Sequence, residues 1–120
     1  MTTRLCSKIK DNPYLILNNG EIGLKLNLVE EKDEVLVFEK KYDNQAGFII
    51  VACIEKLDEN NFKRLYNFYC EFVKERAYGM FKEVELVFVS KEISKEVEKI
   101  INAYREIYAE RKPIRHVIIT

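Results

Sequence analysis

The sequence is poor in the residues that mark disulfide-rich, metal-binding or membrane proteins. Its 120 residues include three cysteines, two prolines, four glycines, one histidine and no tryptophan. The cysteines are odd in number and far apart, so we expect no disulfide framework and reduced thiols, as in the cytoplasm. No apolar run approaches the roughly 20 residues that cross a bilayer, and the N-terminus lacks the apolar core of a signal peptide. We therefore expect a cytoplasmic protein without a membrane contact.

Net charge is absent as well, because 20 Lys and Arg residues balance 20 Asp and Glu residues. A balanced charge argues against a general nucleic-acid coat, since phosphate binding is driven by an excess of cations. A local basic patch stays open. Most of the charges are Glu and Lys, and glutamine occurs once, at Gln45. This bias is typical of a heat-adapted source, and AT-rich coding gives the same excess of Lys and Ile.

What the sequence does contain is a change of pattern near residue 57. The chain is long enough for one domain, residues 1–120, and its polar residues 1–12 predict a loosely ordered arm. Short apolar runs bounded by turn residues predict four strands before residue 57. These strands are predicted at 14–17, 22–29, 35–41 and 47–54. The last of them is apolar on both faces, which is typical of a central strand.

Helical periodicity takes over after residue 57. Asp58 and the residues after it predict the start of a helix that runs to about Arg76, and Ser90 or Ser94 is suited to cap a second helix. Strands are predicted after each helix, at 84–89 and 116–119. Crossover connections of this kind are right-handed and place these strands parallel to the 48–54 strand. The predicted fold class is α+β: an antiparallel meander followed by helix–strand–helix–strand, with helices packed on a mixed central sheet.

The first of these helices has more apolar surface than one sheet face needs. Its apolar sector spans roughly 200°, about twice the width that a helix lying on one sheet requires. A second surface is therefore expected to cover it, either the other helix or a partner subunit. Aromatic side chains are enriched in the cores of interfaces, so we expect a homodimer or another protein partner. The predicted interface residues are Phe62, Tyr66, Phe68, Tyr69 and Phe72.

Few side chains offer catalytic or metal-binding chemistry. A serine hydrolase would need His116, the only histidine, as its base, but no Gly-x-Ser-x-Gly elbow is present. The three cysteines and His116 do not occur in the close pairs that preorganise a zinc site. We interpret His116 as an ordinary strand residue, and we predict no metal site and no cofactor.

Glu39 and Lys41 are the remaining candidates for catalysis. They lie two residues apart on a predicted strand, so both side chains leave the same face. A metal-dependent nuclease uses such a pair, in which the carboxylate holds a divalent ion and the lysine acts near the phosphate. Mg²⁺ is expected as a cofactor only in this case. A solvated strand end is the alternative interpretation of the pair.

The order of elements over residues 34–120 resembles that of a known superfamily. The resemblance is carried by the stretches Glu34–Phe38, Phe48–Asp58 and Leu86–Ser94, in a meander followed by strand, helix and strand. This order is similar to that of the restriction-endonuclease-like, or PD-(D/E)XK, superfamily. The superfamily's usual leading helix is expected to be missing, because residues 1–13 are short and polar.

The resemblance implies where catalytic residues would lie. The first acid of the superfamily would fall at Leu36, and its acid-x-Lys motif at Ala52 and Ile54, so no catalytic residue carries over there. A shifted register uses Glu39 and Lys41 and leaves Asn27, Glu21 or Glu30 as the other acid. In the direct register the resemblance implies a degenerate member that keeps the fold and has lost the metal site.

Two functions from different classes follow from these observations. We favour a small non-catalytic domain that acts through protein contacts, because the 48–54 strand offers no polar group and the charge is balanced. The alternative is a metal-dependent nuclease or nucleic-acid-processing domain that uses Glu39 and Lys41. A third option is a module that binds a small ligand between sheet and helices, although no residue selects a ligand.

Overall fold

The computed structural model describes residues 4–16, 25–42, 45–77, 83–107 and 114–118. Three helices and seven strands lie within these ranges, with a 3₁₀ turn at Pro13–Ile16 and a π-helical turn at Val73–Ala77. The helices are α1 (Arg4–Asp11), α2 (Glu59–Phe72) and α3 (Lys95–Ile107). The strands are β1 (Lys25–Lys32), β2 (Val35–Tyr42), β3 (Gln45–Cys53), β4 (Lys56–Leu57), β5 (Glu83–Ser90), β6 (Glu92–Ile93) and β7 (Ile114–Ile118).

Five of the strands form one mixed sheet in the order β1-β2-β3-β5-β7. The β1–β2 and β2–β3 pairs are antiparallel, and the β3–β5 and β5–β7 pairs are parallel. The predicted fold class is therefore confirmed, including the two parallel strands after the helices. The short strands β4 and β6 pair in parallel beside this sheet, and the sequence analysis did not predict them.

The sheet has a buried cluster on each face because side chains alternate along its strands. On the front face, Val35 and Val37 of β2 pack with residues of α2 and α3. On the back face, Leu36 and Phe38 pack with residues of α1. The central strand β3 contributes fully buried residues to both clusters, as its continuous apolar run predicts.

Polar side chains cap the two long helices as the sequence predicts. The Oδ1 atom of Asp58 accepts a hydrogen bond of 2.9 Å from the backbone N–H of Asn61, which satisfies one free donor of the first turn of α2. Ser94 Oγ accepts from the backbone N–H of Val97 at 3.3 Å and caps α3. No helix of the described ranges is long and apolar enough to cross a membrane.

The N-terminal segment differs from its prediction. Residues 4–11 form α1 rather than a loosely ordered arm, so the leading helix that was expected to be missing is present. Cys6 and Ile9 are three residues apart, share one side of the helix and are fully buried against the sheet. Lys10 adds an ion pair of 2.9 Å with Glu31 of β1. The two buried side chains and this ion pair hold the short helix against the sheet.

The first predicted strand is also wrong. Pro13 fixes its own φ and lacks an N–H, and residues 13–16 form a 3₁₀ turn instead of a strand. The second predicted strand, 22–29, corresponds to β1 over residues 25–29, and residues 22–24 lie outside the described residues. The hairpin expected at Asn18–Gly20 and the helix end expected at Gly79 lie outside the described residues.

The wide apolar sector of α2 contacts both the sheet and α3. Phe62 stacks on Phe88 of β5 with ring centroids 5.3 Å apart, while Tyr66 meets Tyr104 of α3 edge-on at 6.5 Å. Among the predicted interface residues, Phe62 and Phe72 are buried in the front cluster, and Tyr66, Phe68 and Tyr69 are partly buried against it. The sequence left open whether the other helix or a partner subunit covers this sector. The contact between Tyr66 and Tyr104 shows that α3 covers part of it.

Candidate functional site

Glu39 and Lys41 lie together on the front face of β2, near its C-terminal end. Lys41 Nζ is 3.1 Å from Glu39 Oε1, and the two side chains are 61% and 26% exposed, respectively. Across the strand pair, Glu39 is opposite Asn27, and Lys41 is opposite Lys25. The predicted pair is thus open to solvent and in contact.

A β-bulge in β1 brings a second carboxylate to the same face. The register of β1 against β2 shifts between Leu28 and Glu30, so that Glu30 rather than Val29 lies opposite Val37. Because paired residues point to the same side of a sheet, Glu30 joins Glu39 on the front face. Bulges commonly re-aim a side chain in this way. Of the acids considered in the shifted register, Glu30 shares the face of Glu39, and Glu21 lies outside the described residues.

The polar residues on the front face of β1 and β2 form a strip, which we call the β1–β2 strip. It consists of Lys25, Asn27, Glu30 and Lys32 of β1 with Glu39 and Lys41 of β2. Three lysines against two glutamates give the strip a net charge of +1. Like charges directly across a strand pair repel each other, so Lys25 opposite Lys41 is an arrangement that a bound anion would stabilise.

A cleft of about 390 Å³ opens at the hairpin end of this strip, between the β1–β2 turn and α2. Lys32 Nζ lies 5.7 Å from the ring centroid of Phe68, on one wall of the cleft. Arg64 of α2 donates a hydrogen bond of 2.6 Å to Glu34. Charged and aromatic groups are therefore combined in this cleft, which meets the β1–β2 strip at Lys32.

The positions implied by the direct register of the superfamily resemblance are apolar and enclosed. Leu36 is buried in the back cluster, whereas Ala52 and Ile54 are buried in the front cluster. These three residues do not share a face of the sheet, so they could not form one site even with polar side chains. No group of three or more His, Cys, Asp or Glu side chains in the described ranges is arranged to hold a metal ion.

His116 has a close partner that the sequence analysis missed. Its Nε2 atom lies 2.6 Å from the Oγ of Ser90, which is fully buried. Burial lowers the pKa of His116 below its ordinary 6.5, and the charge of Glu98 on α3 opposes this shift. The two atoms form a hydrogen bond whose donor depends on the tautomer of the ring. Because the Ser90 hydroxyl is shielded from solvent, we interpret the pair as a buried polar contact. This agrees with the interpretation of His116 as an ordinary strand residue.

This contact predicts a pH dependence of stability. The unfolded chain binds a proton on His116 below pH 6.5, whereas the folded chain resists it, so the free energy of unfolding falls as the pH drops below 6.5. We expect His116→Gln, which does not titrate, to have a shallower loss of stability on acidification. Urea unfolding midpoints above and below pH 6.5 measure this. If the urea midpoint falls by the same amount on acidification in the wild type and in His116→Gln, His116 is not the cause of the pH dependence.

A buried charged cluster lies on the back face, at the same end of the sheet as Lys41. Lys40 is only 3% exposed, and its Nζ donates hydrogen bonds to Glu85 at 2.8 Å and Glu83 at 3.3 Å. Burial lowers the pKa of Lys40, but the hydrogen bonds and charges of both glutamates outweigh it and raise the pKa above 10.5. Arg115 approaches Glu85 at 3.9 Å.

The sequence carries a signal for this cluster. Lys40 follows Leu36 and Phe38 at a period of two, which predicts that it shares their buried face, and Glu83 and Glu85 have the same spacing on β5. The lysine chain crosses β3 at Gly47, where an added Cβ would lie 3.0 Å from Lys40 Cε. The cluster therefore depends on the absence of a side chain at residue 47.

Comparison with known proteins supports the fold rather than a family. No protein-family model matches this chain, and no curated protein matches it. Among solved structures, the chain is similar to the apo form of EndoMS, with a TM-score of 0.60 and 12% sequence identity. The match covers 94% of this chain and 43% of the EndoMS chain, so this chain spans less than half the length of EndoMS.

The likeness to EndoMS corrects the favoured interpretation of function. EndoMS is a nuclease, which fits the nuclease alternative better than a non-catalytic domain that acts through protein contacts. The latter interpretation, drawn from the apolar sector of α2 and the balanced charge, is therefore wrong. Both features describe how the chain packs and how its charges sum, and neither reports on a local site. The comparison shows that the chain shares a fold with part of EndoMS.

Proposed function

We propose that this chain is a metal-dependent nuclease or nucleic-acid-processing domain whose site is the β1–β2 strip. The observation that carries the proposal is the β1 bulge, which puts Glu30 on the face of Glu39 and Lys41. Two carboxylates and a lysine on adjacent strands are the groups that metal-dependent phosphodiester cleavage uses. The likeness of the fold to EndoMS supports the same class of activity.

The donor set of the strip fits Mg²⁺ better than a zinc ion. Mg²⁺ keeps several water ligands and commonly binds through one or two carboxylates together with substrate phosphates. Glu30 and Glu39 would hold the ion, and neither carboxylate is fully buried. A bound ion would neutralise part of the charge of the phosphate. The site would therefore be completed by substrate rather than preassembled by protein ligands.

The lysines of the strip would bind and orient the phosphate backbone. Lys25 and Lys41 lie directly opposite each other, so one phosphate can accept hydrogen bonds from both ammonium groups. Lys41 also contacts Glu39, which keeps one cation beside the carboxylate. The strip is limited in size and in charge, which agrees with a protein whose overall charge is zero.

Cleavage assays test the proposal. Purified protein is incubated with single-stranded DNA, double-stranded DNA and RNA in the presence of Mg²⁺ or Mn²⁺. We expect cleavage that Glu39→Gln reduces by at least about 100-fold, because several kcal/mol of charge stabilisation are lost. Glu30→Gln is expected to act in the same direction.

A matched control is available on the neighbouring residue. Glu31 follows Glu30 on β1 but points to the back face, where it pairs with Lys10, so Glu31→Gln should retain cleavage. Circular dichroism confirms that each variant is folded. Absence of cleavage with both ions and all three substrates, or equal activity in wild type and Glu39→Gln, would overturn the proposal.

A further inference from the structure

Two of the three cysteines are brought together on the back face of the sheet. Cys6 of α1 and Cys53 at the end of β3 are both fully buried in the back cluster. Cys6 has the largest influence on the pKa of Cys53, which it raises, although the residues are 47 positions apart in the sequence. No local sequence pattern predicts this proximity, because the docking of α1 creates it.

We propose that Cys6 and Cys53 are a redox modification site that forms a reversible disulfide between α1 and the central strand. Both thiols lie in the one buried cluster between α1 and the sheet. Cys6 and Ile9 pack α1 against the sheet without a covalent link. A disulfide would add a covalent bond between α1 and β3. The third cysteine, Cys70, is exposed on α2 and lies outside the back cluster.

The reaction needs an oxidant, for which we name a small disulfide such as oxidised glutathione. The thiolate of Cys6 attacks one sulfur of the oxidant and expels the first small thiol. The thiolate of Cys53 then attacks the Cys6 sulfur of the mixed disulfide and expels the second. One protein disulfide forms, one small disulfide is reduced to two thiols, and the two cysteine protons end on those thiols.

Burial makes this reaction dependent on the opening of α1. The neighbouring Cys6, together with burial, raises the pKa of Cys53, so the docked pair holds little thiolate. An eight-residue helix is marginal on its own, and its release would expose Cys6 to the oxidant. Redocking then places Cys53 against the mixed disulfide. The site therefore responds to sustained oxidation rather than to a brief pulse.

The test uses the full chain with Cys70→Ser, so that the exposed thiol does not interfere. Folded protein is incubated with oxidised glutathione, and peptide mapping by mass spectrometry identifies the products. We expect a Cys6–Cys53 linked peptide with the loss of two hydrogens. Oxidation should raise the thermal midpoint by on the order of 10 °C, which dithiothreitol reverses, because a loop of this length closes in the unfolded chain.

One further protein makes the result decisive. Cys6→Ala with Cys70→Ser retains one buried thiol and should give neither the linked peptide nor the shift in midpoint. Glutathione adducts without a linked peptide in the Cys70→Ser protein would overturn the proposal, as would linkage that appears only in denaturant. The cysteines lie on the face opposite the β1–β2 strip, so nuclease assays and thiol assays succeed or fail independently.

Discussion

Replacing Lys40 by methionine is expected to lower the free energy of unfolding by about 3 kcal/mol, the low end of the cost of breaking a buried ion pair, because Glu85 keeps only the more distant Arg115 as a cation. Methionine keeps the length and apolar stem of lysine but cannot donate hydrogen bonds. Glu85 would then lose its bond of 2.8 Å in a position where water replaces it poorly. Urea unfolding followed by circular dichroism measures the change.

The neighbouring lysine provides the control. Lys41→Met removes a positive charge from the same strand, but its side chain is mostly exposed, so we expect a loss of at most about 1 kcal/mol. Adding Glu85→Gln to Lys40→Met should recover part of the stability, since a neutral amide costs less to bury than a carboxylate. Equal losses for the two lysine variants would show that the buried cluster contributes nothing specific.

Gly47→Ala is expected to destabilise the protein by about 1–3 kcal/mol, the usual cost of forcing an extra methyl group into a packed site. The new Cβ would lie 2.7 Å from the carbonyl oxygen of Glu83 and 3.0 Å from Lys40 Cε. The lysine can move, but the oxygen belongs to the backbone of β5, so β3 and β5 must separate locally. The thermal midpoint of unfolding reports the change.

A double variant separates the two contacts. In a Lys40→Ala background, no side-chain stem crosses Gly47, whereas the Glu83 oxygen stays in place. We expect Gly47→Ala to keep most of its cost there. If the cost disappears, the lysine stem rather than the partner strand is the obstacle. An unchanged midpoint for Gly47→Ala in the wild-type background would contradict the close approach of the strands.

Elements with strong local patterns could be predicted from the sequence. The β2, β3 and β5 strands follow from dense apolar runs, and α2 and α3 from apolar spacing with Asp58 and Ser94 as caps. Right-handed crossover connections then give the parallel half of the sheet. These features depend on residues within a few positions of each other, which is why one sequence is enough to predict them.

The features that were missed depend on distant residues. α1 is stabilised by docking on β2 and β3 rather than by its own sequence, which reads as polar. The bulge that aims Glu30 at the front face depends on the pairing register, and the Ser90–His116 contact joins two strands. Glu39 and Lys41 could be proposed from their spacing alone, but their second carboxylate could not be chosen without the register.

The change from antiparallel to parallel pairing at β3 has a consequence for folding. The β1–β2–β3 pairings close across short turns and can form early, whereas the partner on the other edge of β3 begins only at Glu83, after α2. Until β5 arrives, β3 presents an unpaired edge that is apolar on both faces, which is the pattern that templates aggregation. A chain shortened before β5 would therefore self-associate, and solubility during synthesis depends on how quickly α2 and β5 cover that edge.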